Sequence, residues 1–235
     1  MRKALRPFAL ATLFLCGGFL ASTDLNAATV SVDPAAPWLG FMNVSETPQH
    51  GGAFVFGQVW GVPDLQASFS GPVLTLAPNT INDPNAFWYT PSGGPGAVGN
   101  KIMDANMYVE TTGPFAGQTL TFTGNVLANS LVGSVNQQGN GWTSVAFIKD
   151  FAPDYSSFNI TTAPLSAGVF SITMNTVNDP ARHVQYGFET IGPDVWATDA
   201  GPYGNIQLTA VPEPSVIGLL ACASMVALAP LRRRK

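Results

Sequence analysis

Leu120 and Phe122 alternate with Thr119, Thr121 and Thr123, and Phe170, Ile172 and Met174 alternate with Ser171 and Thr173. Successive side chains of an extended chain point to opposite faces, so a period of two builds strands with one apolar and one hydroxyl face. Strands of this kind belong to antiparallel sheets that lay one face on a core. Other apolar stretches are cut by turn residues. Phe54, Phe56 and Trp60 lie in a run closed by Gly61-Val62-Pro63-Asp64, Val73 to Leu76 sits between Gly71-Pro72 and Ala77-Pro78, and Ala86 to Thr90 stops at Pro91. Further strands are expected at Asn106–Thr111, Trp142–Lys149, Phe158–Thr162, His183–Thr190 and Ile206–Ala210. With about ten strands and no helical period outside the two ends, the fold class is all-β: a single antiparallel β-sandwich, jelly-roll-like.

The ends obey a different solvent. Arg2, Lys3 and Arg6 precede an uncharged apolar run, Phe8 to Leu20, and small and polar residues follow up to Ala27 and Ala28. This three-part pattern is a secretory signal peptide over residues 1–27, helical in its apolar part, with a retained N-terminal anchor as the alternative. Phe14 and Leu15 stand where lipoprotein processing at Cys16 needs small residues. At the other end, Ser215 to Leu231 holds no ionisable side chain except Cys222. As a helix it would be about 25 Å long, a short transmembrane helix for a bilayer core of roughly 30 Å. Arg232, Arg233, Arg234 and Lys235 would stay in the cytoplasm by the positive-inside rule. Pro212 and Pro214 keep Val211 to Pro214 extended and short of amide donors. The chain therefore divides into a signal peptide (1–27), a β-sandwich domain (28–210) and a tail (211–235) with a helix over 215–231.

The order Pro212-Glu213-Pro214, apolar helix, Arg-rich end resembles the sorting tail of the PEP-CTERM proteins of bacteria. The resemblance covers about the last tenth of the chain. It implies export through the Sec translocon, removal of the leader by signal peptidase, and recognition of Val211 to Pro214 by an exosortase, a membrane-embedded transpeptidase-like enzyme. A permanent C-terminal anchor is the alternative fate.

Charge narrows the partners of the central domain. Without the basic ends it carries Lys101, Lys149 and Arg182 against twelve carboxylates, a net charge of −9. So acidic a surface repels nucleic acid and anionic lipid, which leaves neutral polymers and cations. Both cysteines, Cys16 and Cys222, lie in the ends, so the domain has neither a disulfide nor thiol chemistry.

Motifs for catalysis are sparse. The Gly93-Gly94-Pro95-Gly96 loop is a flexible insertion and Gly139 to Gly141 a hairpin turn, and no Gly-rich loop leads into a Lys-Ser/Thr pair, which excludes a phosphate cradle. The two histidines, His50 and His183, form no metal-ligand spacing, and there is no G-x-S-x-G elbow. Acid pairs such as Asp150 with Asp154, or Asp194 with Asp199, are present but nothing in the sequence selects one. Asn79-Thr80-Ile81-Asn82-Asp83-Pro84 returns as Asn175-Thr176-Val177-Asn178-Asp179-Pro180. Asx residues before proline initiate turns, and turn chemistry is the expected role. The alternative is a Ca²⁺ site using Asp83 or Asp179, and no other cofactor is expected.

Aromatic residues are the better lead. Trp60, Trp88, Tyr89, Trp142, Tyr155 and Trp196 are many for a domain with so few charges, and flat rings stack on sugar faces while nearby Asn, Asp and Gln bond hydroxyls. Packing competes with ligand contact for each ring, and of the adjacent pair Trp88 and Tyr89 one should face in and one out. Gly187-Phe188 and Gly204-Asn205-Ile206-Gln207-Leu208 are similar to the closing strands of galactose-binding-like and carbohydrate-binding jelly rolls. Gly204 replaces the Asp such strands carry, so the resemblance supports the fold more than a cation site. The expectation is a non-catalytic envelope protein of the polysaccharide or surface layer that binds carbohydrate. An envelope glycoside hydrolase and a purely structural matrix protein are the rivals.

Overall fold

The computed structural model describes residues 27–132 and 141–211. Residues 1–26 of the expected signal peptide, the Pro212–Pro214 motif, the 215–231 helix and the cluster Arg232 to Lys235 lie outside the described residues, as do Gly139 and Asn140. Among the described residues no helix is long and apolar enough to cross a membrane.

Those residues form strands β1 (Ala27–Ser31), β2 (Leu39–Glu46), β3 (Phe54–Trp60), β4 (Ala67–Ser70), β5 (Val73–Leu76), β6 (Tyr89–Thr90) and β7 (Val98–Gly99). They continue with β8 (Lys101–Thr112), β9 (Thr119–Asn129), β10 (Thr143–Phe151), β11 (Phe158–Pro164), β12 (Gly168–Asn175), β13 (His183–Pro193) and β14 (Ile206–Thr209). Sheet I contains β12, β9, β1, β14, β5 and β4; sheet II runs β11-β10-β13-β8-β2-β3; β6 and β7 make a separate short ladder. The described residues are mostly β and sandwich-like, in keeping with the alternation.

The apolar faces of β9 and β12 lie inward: Leu120, Phe122, Phe170, Ile172 and Met174 share one buried cluster with Met42, Met103, Met107, Ile148, Val184 and Phe188 of sheet II. Phe122 stands at its centre, its ring 5.3 Å from Phe170, 5.3 Å from Tyr186 and 5.4 Å from Phe188. Interdigitation of this kind joins the sheets, each buried large side chain contributing about 1.5–3 kcal/mol. Gly187 allows β13 to run close to β8, since a Cβ there would collide with the Met107 carbonyl oxygen.

Two expectations need correction. The sandwich is not wholly antiparallel, because β1 runs parallel to β9. β12 takes one edge of β9 over its whole paired length, and the other edge is shared end to end, Thr119–Thr123 by β1 and Asn125–Asn129 by β14. The strand expected at Ala86–Thr90 shrinks to Tyr89–Thr90, because Asn85 captures the backbone: its side chain accepts from Phe87 N (2.8 Å) and its carbonyl from Trp88 N (2.9 Å).

Candidate functional site

The segments 79–100 and 193–204 meet at one end of the sandwich, and Tyr89 ties them together. Its ring is fully buried and edge-on to Trp196 at 5.5 Å. The Tyr89 hydroxyl donates to the Ile81 carbonyl (2.6 Å), has the Val195 carbonyl at 3.0 Å, and accepts from Ile81 N (3.1 Å). Burial first, then the Asp194 carboxylate, holds the phenol well above its ordinary pKa, so it remains a donor and never serves as a base. Gly93 gives Trp196 its place: a Cβ there would come within 2.6 Å of the indole and of Pro84 Cα.

Two cavities flank this hub. The larger, about 590 Å³, is an open groove between edge strand β3 and Thr80–Asp83. Its polar and aromatic walls are Gln58, Trp60, Asp64, Gln66, Asn82 and Asp83. The 3₁₀ turn Val62–Leu65 carries Asp64 to the wall and ends on Gln66 in the left-handed region, φ 58°, a conformation uncommon outside glycine. The Asp64 carboxylate has no hydrogen bond or ion pair among the described residues, whereas Asp83 Oδ1 accepts from Asn85 N at 3.0 Å. An indole with amides, a hydroxyl and carboxylates around it suits a polyhydroxylated ligand.

The smaller cavity, about 340 Å³, is lined by Gly96–Gly99, Asp194, Val195, Thr198, Asp199 and Tyr203. Asp194 is 1% exposed; its Oδ1 accepts from Lys101 N at 3.0 Å, and its Oδ2 has no partner. Burial outweighs that hydrogen bond and the Lys101 charge and pushes the carboxyl up to about 7. Asp199 Oδ2 accepts from Gly96 N at 2.6 Å and pins the glycine loop.

The sequence-derived residues are divided by the fold. Tyr89 and Trp142 are interior; Trp142 Nε1 donates to the Pro193 carbonyl (3.2 Å) and its ring lies 4.4 Å from Tyr203. Trp88 is half-buried against Phe87 (4.7 Å) and Phe56 (6.3 Å). Of that adjacent pair, Tyr89 faces in and Trp88 packs partly on the core. Trp196 is half-buried beside the hub. Tyr155 is not at this end: it is 48% exposed, stacks on His183 at 4.4 Å, and donates to Glu110 Oε1 at 2.9 Å. Burial and Glu110 push its phenol up to about 12.

Asp83 and Asp179 are not brought together. Each caps its own turn, Asp179 Oδ1 accepting from Ala181 N at 2.9 Å, and among the described residues no three His, Cys, Asp or Glu are grouped to hold a metal. Asp150 and Asp154 have separate partners: Arg182 Nε donates to Asp150 Oδ1 (2.7 Å) and Ser156 Oγ donates to Asp154 Oδ1 (2.6 Å). The residues that sequence reasoning missed are Gln58, Asp64 and Gln66, whose outward signal was the neighbouring Trp60, and Asn82, which lies in the repeated Asn79–Pro84 segment but was not singled out for binding. No protein-family model, curated protein or solved structure matches the chain.

Proposed function

We propose that this is an exported bacterial protein, delivered to the cell envelope by a PEP-CTERM tail and acting there as a non-catalytic polysaccharide-binding component. The Sec translocon and signal peptidase handle the N-terminal leader, and an exosortase reads Val211 to Pro214 while Arg232 to Lys235 hold the cytoplasmic side. The central domain is taken as one jelly-roll-like sandwich, since from β8 onward the chain returns repeatedly between the two sheets: β8 in II, β9 in I, β10 and β11 in II, β12 in I, β13 in II, β14 in I. Galactose-binding-like jelly rolls are the resemblance this arrangement favours.

The observation that carries the binding reading is the Trp60 groove, about 590 Å³ with polar groups converging on an indole. Its test is affinity electrophoresis of the envelope-recovered protein in gels containing extracellular polysaccharide from the producing cell. Trp60→Ala should weaken retardation by about tenfold, the size expected for loss of roughly 1.4 kcal/mol of stacking. Unchanged retardation would remove the groove from consideration. Intact mass of the same protein tests its fate: loss of both ends supports sorting, and a full apolar tail supports simple anchoring.

A second reading is favoured by Asp194, a buried carboxyl raised to about 7 beside a cavity that also holds Asp199. That is the profile of a general acid in glycoside hydrolysis. Polysaccharide turnover abolished by Asp194→Asn, with the fold retained, would favour the hydrolase over the binder.

A further inference from the structure

The described residues contain three lysines and arginines, and the fold consumes all of them. Lys101 Nζ lies 3.0 Å from Glu46, Lys149 Nζ 3.0 Å from Glu189, and Arg182 Nε 2.7 Å from Asp150, and these cationic side chains are only 6%, 11% and 15% exposed. The surface of these residues thus shows carboxylates with almost no compensating ammonium or guanidinium. The groove repeats this in miniature. Asp64 and Asp83 are the only ionisable groups in its walls, both are exposed, and the Asp64 carboxylate has no partner among the described residues.

Each class of glycan meets these walls differently. A polyanion is repelled by the two carboxylates and by the net charge behind them. A neutral chain gains the indole and the amides but leaves the carboxylates to water. An ammonium-bearing sugar gains everything: a charge-assisted hydrogen bond to a carboxylate, and a cation near an indole face. Resting on the glycan-binding reading above, we propose that the groove recognises an amine-bearing polysaccharide, one with free amino sugars, its ammonium paired with Asp64 and Asp83 and its ring on Trp60.

The test compares three probes on the mature protein from its host: a glucosamine oligomer, the same oligomer fully N-acetylated, and polygalacturonate, each at about 20 mM and about 200 mM salt, a range over which the screening length falls severalfold. The free-amine oligomer should bind at least about tenfold more tightly than the acetylated one at low salt, a difference near 1.4 kcal/mol. That preference should shrink at high salt and in Asp64→Asn and Asp83→Asn. The second substitution keeps an Oδ1 acceptor for Asn85 N, so the turn survives it. Trp60→Ala should weaken both oligomers. Equal binding of the two oligomers, still dependent on Trp60, would overturn the amine preference and leave glycan binding standing. Tighter binding of polygalacturonate would overturn the amine preference as well. If no probe binds in a Trp60-dependent way, both readings fall.

Discussion

Asn79–Pro84 and Asn175–Pro180 share five of six residues, and the fold treats them in opposite ways. In the first copy, Asn79 is buried and donates to the Asp64 carbonyl (3.0 Å), Thr80 bridges to Val195, and Asn82 and Asp83 stand in the wall of the groove. In the second, Asn175 is exposed and accepts from Thr119 Oγ1 (2.8 Å), while Thr176 is buried and donates to the Phe115 carbonyl. What they share is the backbone. The aspartate caps the turn in both, and the amide of the third residue is taken in both by a side chain from behind, Ile81 N by the Tyr89 hydroxyl (3.1 Å) and Val177 N by Asp150 Oδ2 (2.8 Å). Local Asx-Pro chemistry makes the turn. What packs behind it differs, a neutral phenol at the first copy and an ion-paired carboxylate at the second.

The largest effect is expected at the second copy. Asp150→Ala strands the Arg182 guanidinium and the Val177 amide together, and breaking a buried pair from one side costs about 3–5 kcal/mol. A urea midpoint shift of that size checks it, and a loss under about 1 kcal/mol would mean that the pair does not lock this turn.

Behind the first copy the buried carboxylate is Asp194, with no cation at salt-bridge distance among the described residues. Its pKa rises from 3.8 to about 7 on folding. The folded state therefore holds a proton that the unfolded chain has released, so stability should be greatest below pH 4 as far as this group is concerned. It should fall as pH rises towards 7, by up to about 4 kcal/mol. Asp194→Asn should flatten that part of the pH profile. A slope that survives the substitution belongs to another group. Tyr89→Phe comes next, leaving the Ile81 and Val195 backbone groups short of a partner for about 1–3 kcal/mol, measured in the same urea titration.

How legible these features were depends on the outer faces of the sheets. On sheet I, Thr29, Thr121 and Thr173 form one row across β1, β9 and β12, so apolar and polar positions separate cleanly and the strands are read at once. On sheet II the separation fails. Phe147 sits on the outer face yet is fully buried, its ring 4.1 Å from Lys149 Nζ, and Leu39 and Phe41 leave β2 apolar on both sides. That is why β2 escaped the alternation while β13, where Val184, Tyr186 and Phe188 alternate with Gln185, Gly187 and Glu189, was still found. The groove was out of reach for another reason. Its walls come from Gln58–Gln66 and Thr80–Asp83, two segments brought together by the edge of the sandwich, and no spacing within either one reports the other. Asp64 and Asp194 look like any other aspartate until the fold leaves one exposed in a groove and the other buried without a cation.

The smallest effects separate the two copies most sharply. Asp83→Ala and Asp179→Ala each remove one Asx hydrogen bond on an exposed turn, so both should cost about 0.5–1.5 kcal/mol, and the two values should agree because the bonds are alike, 3.0 and 2.9 Å. Stability alone therefore cannot tell the copies apart. Glycan binding can: Asp83 lines the groove and Asp179 does not, so only Asp83→Ala should lower affinity in the electrophoresis experiment. Equal losses of affinity would show that the binding surface follows the repeated sequence. A loss confined to Asp83 assigns it to the groove, where the same six residues gain a ligand-facing role only because β3 and Trp60 stand opposite.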